Sequence, residues 1–154
     1  MDLPMILKPE AVRVLAGTSS KKRLMQELAM IAEAAYGVSR AEAVDALLER
    51  EALGPTGVGN GVALPHARIK GLDQVVGALT LLEKPIDFDA VDRRPVDLAF
   101  ALFAPIDAGA AHLKALALVS RTLRDPSLCT KIRANRDPAT LYTIVTEAQA
   151  AQAA

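Results

Sequence analysis

The chain holds two histidines, His66 and His112, and each stands where an imidazole can do chemistry. His66 closes the stretch "GPTGVGNGVALPH", in which four glycines fall within residues 54–61. Glycine costs a folded chain backbone entropy, so such a cluster marks a path that other residues cannot follow. Successive small residues also let neighbouring N–H groups converge on an anion. Thr56, Gly57, Gly59, Asn60 and Gly61 therefore read as a phosphate-binding loop. Pro65 fixes its own φ and pushes Leu64 toward an extended conformation, so a short strand over 61–65 runs stiffly into His66. Arg50, at the end of a helical pattern, and Arg68, just beyond His66, supply cationic donors.

His112 falls in the first turn of a second helical pattern and shares a face with Leu116, Val119 and Leu123, so it points inward. The partial positive charge of a helix N-terminus disfavours protonation there. A neutral imidazole, with a pKa near ~6.5, attacks a phosphoryl group at neutral pH without first losing a proton. The P–N bond formed is labile, and catalysis reduces to positioning and charge stabilisation. The pair thus points to phosphoryl transfer. The plainer alternative is a hydrogen-bonded turn histidine with no chemical role.

Other chemistries lack their residues. A Walker loop ends in Gly-Lys-Ser/Thr, whereas this loop ends Asn60-Gly61-Val62. A dinucleotide fingerprint puts a glycine where Val62 stands, and needs strand before helix. There is no G-x-S-x-G elbow. Cys129 sits in a helical pattern as a plain structural cysteine, and two distant histidines make no metal site. Neither a metal nor another cofactor is expected.

The elements that must carry these residues are legible in part. Ser19 or Ser20 caps a helix with Leu24, Leu28, Ile31 and Ala35 on one face, ended by Gly37. Ser39 caps the next, with Glu42 placed as in a capping box and Gly54 after its end. Residues 74–83 and 95–105 read as strands, nearly all apolar, hence covered on both faces. The segment between them reads as a loop. Asp107 precedes a helix, Asp125-Pro126 start a short one, and Asp137-Pro138 start the last, whose tail "AQAAQAA" is expected to fray. The expectation is one three-layer α/β domain over 1–154, with a small mixed sheet flanked by helices. Its order is helices, strands, helices.

The 154 residues carry 18 basic and 18 acidic side chains, so no nucleic-acid footprint is visible. No apolar run approaches a membrane span or a signal peptide, and one cysteine makes no disulfide framework. A cytoplasmic protein without membrane insertion is expected.

"LEREALGPTGVGNGVALPHARI" resembles the active-site signature of the fructose/mannitol-type IIA domains of the bacterial phosphoenolpyruvate-dependent sugar phosphotransferase system. "SSKKRLMQELA" and "PIDFDAVDRRPVDLAFALFAPIDAGAAHLKALALVSRTLRD" extend the resemblance over most of residues 5 to 147. "GVGNGVALPHA" with "PIDFDAVDRRPVDL" is most similar to the nitrogen-regulatory branch. The resemblance implies a mixed sheet flanked by helices, phosphorylation of His66 on its tele nitrogen, a hydrogen bond from His112 and charge stabilisation by Arg50. It implies an HPr-like phosphocarrier (the nitrogen-branch version, NPr) as donor, and sensor kinases and potassium-transport proteins as partners. It also admits a weak homodimer. Pro55 departs from the Ser common in the family and removes a hydroxyl and an N–H from the loop. Two other functions compete: a sugar-specific IIA passing phosphate to a IIB domain, and a binding module whose histidine is vestigial. Val58, Val62 and Ile69 are the candidates for an apolar docking surface around His66.

Overall fold

The two central strands are apolar at successive positions, so both their faces must be covered. In the computed structural model, which describes residues 1–153, this is so. The strands are β5 (Val76–Ile86) and β6 (Val96–Pro105), antiparallel from Val76↔Phe103 to Leu81↔Leu98. Val96 and every residue from Leu98 to Ala104 are 0% exposed, and successive side chains of a strand point to opposite faces. The sheet has six strands in the order β1-β5-β6-β3-β2, with β4 also on β6. It is mixed, since β1 (Leu7–Leu15) is parallel to β5, while β3 (Val62–Ala63) and β4 (His66–Ile69) are parallel to β6. The strand β2 (Gly57–Gly59) pairs antiparallel with β3.

Around the sheet lie α1 (Leu3–Ile6), α2 (Lys21–Tyr36), α3 (Arg40–Leu53), α4 (Ala110–Leu123), α5 (Pro126–Arg133) and α6 (Pro138–Ala153). The α2 helix packs on β1 and β5, α3 on α2 and β4, α4 on β6, and α6 on β1. The caps are as expected: Ser20 accepts from the Arg23 N–H, Ser39 from the Glu42 N–H, and Gly37 ends α2 at φ 74.

Four expectations are corrected. The chain does not open with a capped helix, because β1 precedes α2. Its sequence, "LKPEAVRVL", hides the strand: Pro9 interrupts it, Lys8 to Glu10 are exposed, and a bulge separates Leu7 from Val12. An edge strand tolerates such a proline. Second, the expected strand 61–65 is divided into β3 and β4 around Leu64-Pro65, and His66 belongs to β4. Third, the segment between the central strands is not all loop, because β5 starts at Val76 and runs on through Ile86. Fourth, the tail is helical through Ala153, because buried Gln149 accepts a hydrogen bond from the Leu3 N–H at 3.0 Å.

The sheet is tight enough to test. A Cβ at Gly77 would stand 2.6 Å from Cε1 of Phe100, a fully buried ring. Gly77→Ala should therefore lower stability by about 1–3 kcal/mol, as overpacking does. Urea unfolding would show this as a lower midpoint at unchanged slope, and an unchanged midpoint would contradict it.

Candidate functional site

Both β3 and β4 run along β6, in registers Val62↔Leu98 and His66↔Leu102. The strand direction through 61–65 thus delivers His66 to a fixed place, and the Pro65 carbonyl accepts from the Leu102 N–H at 2.9 Å. The imidazole is held at both nitrogens. Nδ1 lies 2.8 Å from the Leu64 carbonyl oxygen. A carbonyl only accepts, so Nδ1 carries the proton and Nε2 keeps its lone pair. Nε2 accepts from Nε of Arg50 at 3.2 Å, and Nη1 of Arg50 donates to the Gly54 carbonyl at 3.0 Å. Arg50 is thereby anchored on the end of α3 while it faces His66.

His112, in the first turn of α4, stands across from His66 with ring centroids 5.5 Å apart and planes at 74°. It is 6% exposed, and its Nε2 is buried without a hydrogen-bond partner among the described residues. Leaving such a group unpaired costs its desolvation. Burial lowers the pKa of His66, a direction the Arg50 charge reinforces and the Leu64 bond and Glu51 oppose. Burial likewise lowers that of His112, helped by His66 and Arg68. Burial thus acts in the same direction as the helix terminus in favouring the neutral state expected of His112.

His66, His112, Arg50 and Arg68 line one cleft, together with Leu53 and Leu113. The phosphate-loop residues do not join them there. Gly61 and His66 are separated along β6 by about 16 Å at ~3.3 Å per residue. The segment 57–61 is instead the strand β2 followed by the turn Asn60-Gly61 that leads into β3. The Asn60 N–H donates to Asp92 at 2.9 Å, and its carbonyl accepts from Arg133 at 2.8 Å. Gly61, at φ 79, leaves only 2.6 Å between a would-be Cβ and Nη2 of Arg133. Gly59 and Gly61, both at positive φ, form this tight turn, and Gly57 makes room for Ala90, 2.7 Å from a would-be Cβ. The Thr56 hydroxyl and N–H are both given to the carboxylate of Glu51.

The docking residues also need correction. Val62 and Ile69 are 3% and 2% exposed, while Val58, though exposed, lines a different cavity. The apolar rim of the His66 cleft is Leu53 and Leu113, at 83% and 68% exposure. Glu51, buried at 8% beside Arg50, is the site residue the sequence reading missed. A carboxylate in the last turn of a helix opposes the macrodipole, and that misfit was the available signal.

Residues 5–148 match the family described as phosphoenolpyruvate-dependent sugar phosphotransferase system, EIIA 2. The chain is similar to the nitrogen regulatory protein of Bradyrhizobium diazoefficiens, 43% identical over 94% of this chain and 95% of that one. It is 40% identical to that of Klebsiella oxytoca, over 96% and 92%. The crystal structure of nitrogen regulatory protein IIA-Ntr from Neisseria meningitidis superposes with a TM-score of 0.84 at 34% identity, covering 92% of this chain and 97% of that chain.

Nitrogen-15 NMR should find His66 protonated at Nδ1 when neutral, with both rings titrating below the ordinary 6.5. A neutral His66 protonated at Nε2, or a midpoint above the ordinary value, would contradict this geometry.

Proposed function

This chain belongs to the EIIA 2 family of the phosphoenolpyruvate-dependent sugar phosphotransferase system, and we propose that it serves as a regulatory phosphocarrier of the nitrogen-regulatory type. Nε2 of His66, the tele nitrogen, takes a phosphoryl group from a phosphohistidine on an HPr-like carrier such as NPr. Its lone pair forms the new bond to phosphorus. The donor's P–N bond breaks, and that electron pair returns to the donor ring. Nδ1 keeps its proton, so no general base is required, and the positive charge gained by the ring is shared through the bond to the Leu64 carbonyl.

Arg50 leaves the lone pair and turns to the phosphoryl oxygens, where a guanidinium offers paired donors. The orphaned Nε2 of His112 gives the group a further hydrogen bond. Phosphorylation adds roughly −1.5 to −2 charge between the exposed leucines of the cleft rim, enough to switch a docking surface. The two forms then govern partners such as sensor kinases or potassium-transport proteins. Residues 1–154 act as one domain in this reading. No described helix is long and apolar enough to cross a membrane, and the carrier is assigned to the cytoplasm with its donor.

One observation carries the proposal: a histidine whose Nδ1–H is fixed, leaving an Nε2 lone pair between an arginine and an unpartnered second imidazole. With phosphoenolpyruvate, enzyme I and the HPr-like carrier, the protein should acquire an acid-labile label. His66→Ala should abolish it, and retained label would overturn the reading. His112→Ala should slow labelling by at least about tenfold, the scale of losing one positioned donor. Because the folded imidazole titrates below 6.5, acceptance should hold its rate as pH falls to that value and decline only beneath it. Rapid discharge of the phosphorylated protein onto a IIB domain would favour the sugar-specific alternative over the regulatory one.

A further inference from the structure

Two groups hydrogen-bond to the ring nitrogens of His66, the Leu64 carbonyl and Arg50, and both lead back to one carboxylate. Glu51 follows Arg50 in the last turn of α3 and is 8% exposed. Its Oε2 accepts from the Thr56 N–H at 3.0 Å and from Nζ of Lys21 at 2.7 Å, and its Oε1 accepts from the Thr56 hydroxyl. The Thr56 carbonyl in turn accepts from the Leu64 N–H at 2.9 Å. Leu64 then receives the Nδ1–H of His66. A continuous line of hydrogen bonds therefore runs from Lys21 on α2, through Glu51 and Thr56, to the imidazole.

We propose that Glu51 and Thr56 are positioning residues: their clasp fixes the Leu64 carbonyl and the end of α3 together, and so sets both the tautomer of His66 and the stand of Arg50. The connection from α3 to β2 is otherwise held at Gly54, whose N–H donates to the Glu51 carbonyl at 3.2 Å and whose carbonyl accepts from Arg50 at 3.0 Å. Gly54 and Pro55 lie between, and Pro55 offers no N–H. A buried carboxylate needs all its partners, and here they are the lysine and both donors of Thr56. Neither residue reaches the reacting nitrogen. Each acts through what it holds.

The tautomer part of this inference stands independently, while its kinetic part rests on the phosphocarrier reading. Thr56→Val keeps the volume and the N–H but deletes the hydroxyl, and Thr56→Ser restores it. Glu51→Gln keeps the shape and removes the charge. By nitrogen-15 NMR, Thr56→Val and Glu51→Gln should give neutral His66 a mixture of tautomers, and Thr56→Ser should return it to Nδ1–H. In labelling assays the two variants should lose at least about tenfold in maximal rate, since misplacement by ~1 Å costs on the order of a hundredfold. The half-saturating donor concentration should stay within about twofold, because the rim is untouched, and Thr56→Ser should recover the rate.

Circular dichroism and urea unfolding would identify a variant that fails to fold, and the other variant then decides. Wild-type tautomer and rate in a folded Thr56→Val or Glu51→Gln would overturn the proposal. A failure to label the unaltered protein would overturn the phosphocarrier reading alone, with the tautomer measurement still deciding the role of the clasp.

Discussion

The site depends on one hydrogen bond, from Nδ1 of His66 to the carbonyl of Leu64. An imidazole that can rotate offers either nitrogen, in either protonation state, to whatever approaches. Fixing one N–H on a main-chain acceptor removes that freedom and leaves a lone pair at a known place. The acceptor can be trusted because it belongs to a segment with no slack. Leu64 is buried, Pro65 has one φ, and the flanking strands are both in register with β6.

The rest of the molecule serves to make that segment immovable and to bring two further groups to it. The β5–β6 pair forms the buried spine on which β3 and β4 lie, and helices cover both faces. The α3 helix packs against β4 and ends where Arg50 faces the ring. The α4 helix packs on β6 and begins where His112 faces it from the other side. Burial then keeps both rings neutral at physiological pH, which is the state a nucleophile and a hydrogen-bond donor require. Of the two facing Nε2 atoms, that of His66 is met by Arg50, while that of His112 is buried without a partner among the described residues.

Much of this was written locally. Ser20, Ser39 and Gly37 announced their helices, the apolar runs announced β5 and β6, and Pro65-His66 announced the site. What failed to show was long-range. Pro9 hid β1, whose stability comes from pairing with β5 and not from its own pattern. The glycine run resembled an anion cradle, yet at its tip the N–H and carbonyl of Asn60 are claimed by Asp92 and Arg133, far away in the chain. The C-terminal tail lacked a local reason to be ordered until Gln149 met Leu3. Glu51 drew no reading, because only the folded chain brings Thr56 and Lys21 around it.

The central claim is that one particular nitrogen of one particular ring is the acceptor. Phosphorylated, nitrogen-15-labelled protein tests it directly, through the scalar coupling of phosphorus to the imidazole nitrogens. The account predicts a single coupled signal at Nε2 of His66, with Nδ1 still bearing its proton. Phosphorus coupled to Nδ1 of His66, or to either nitrogen of His112, would contradict it.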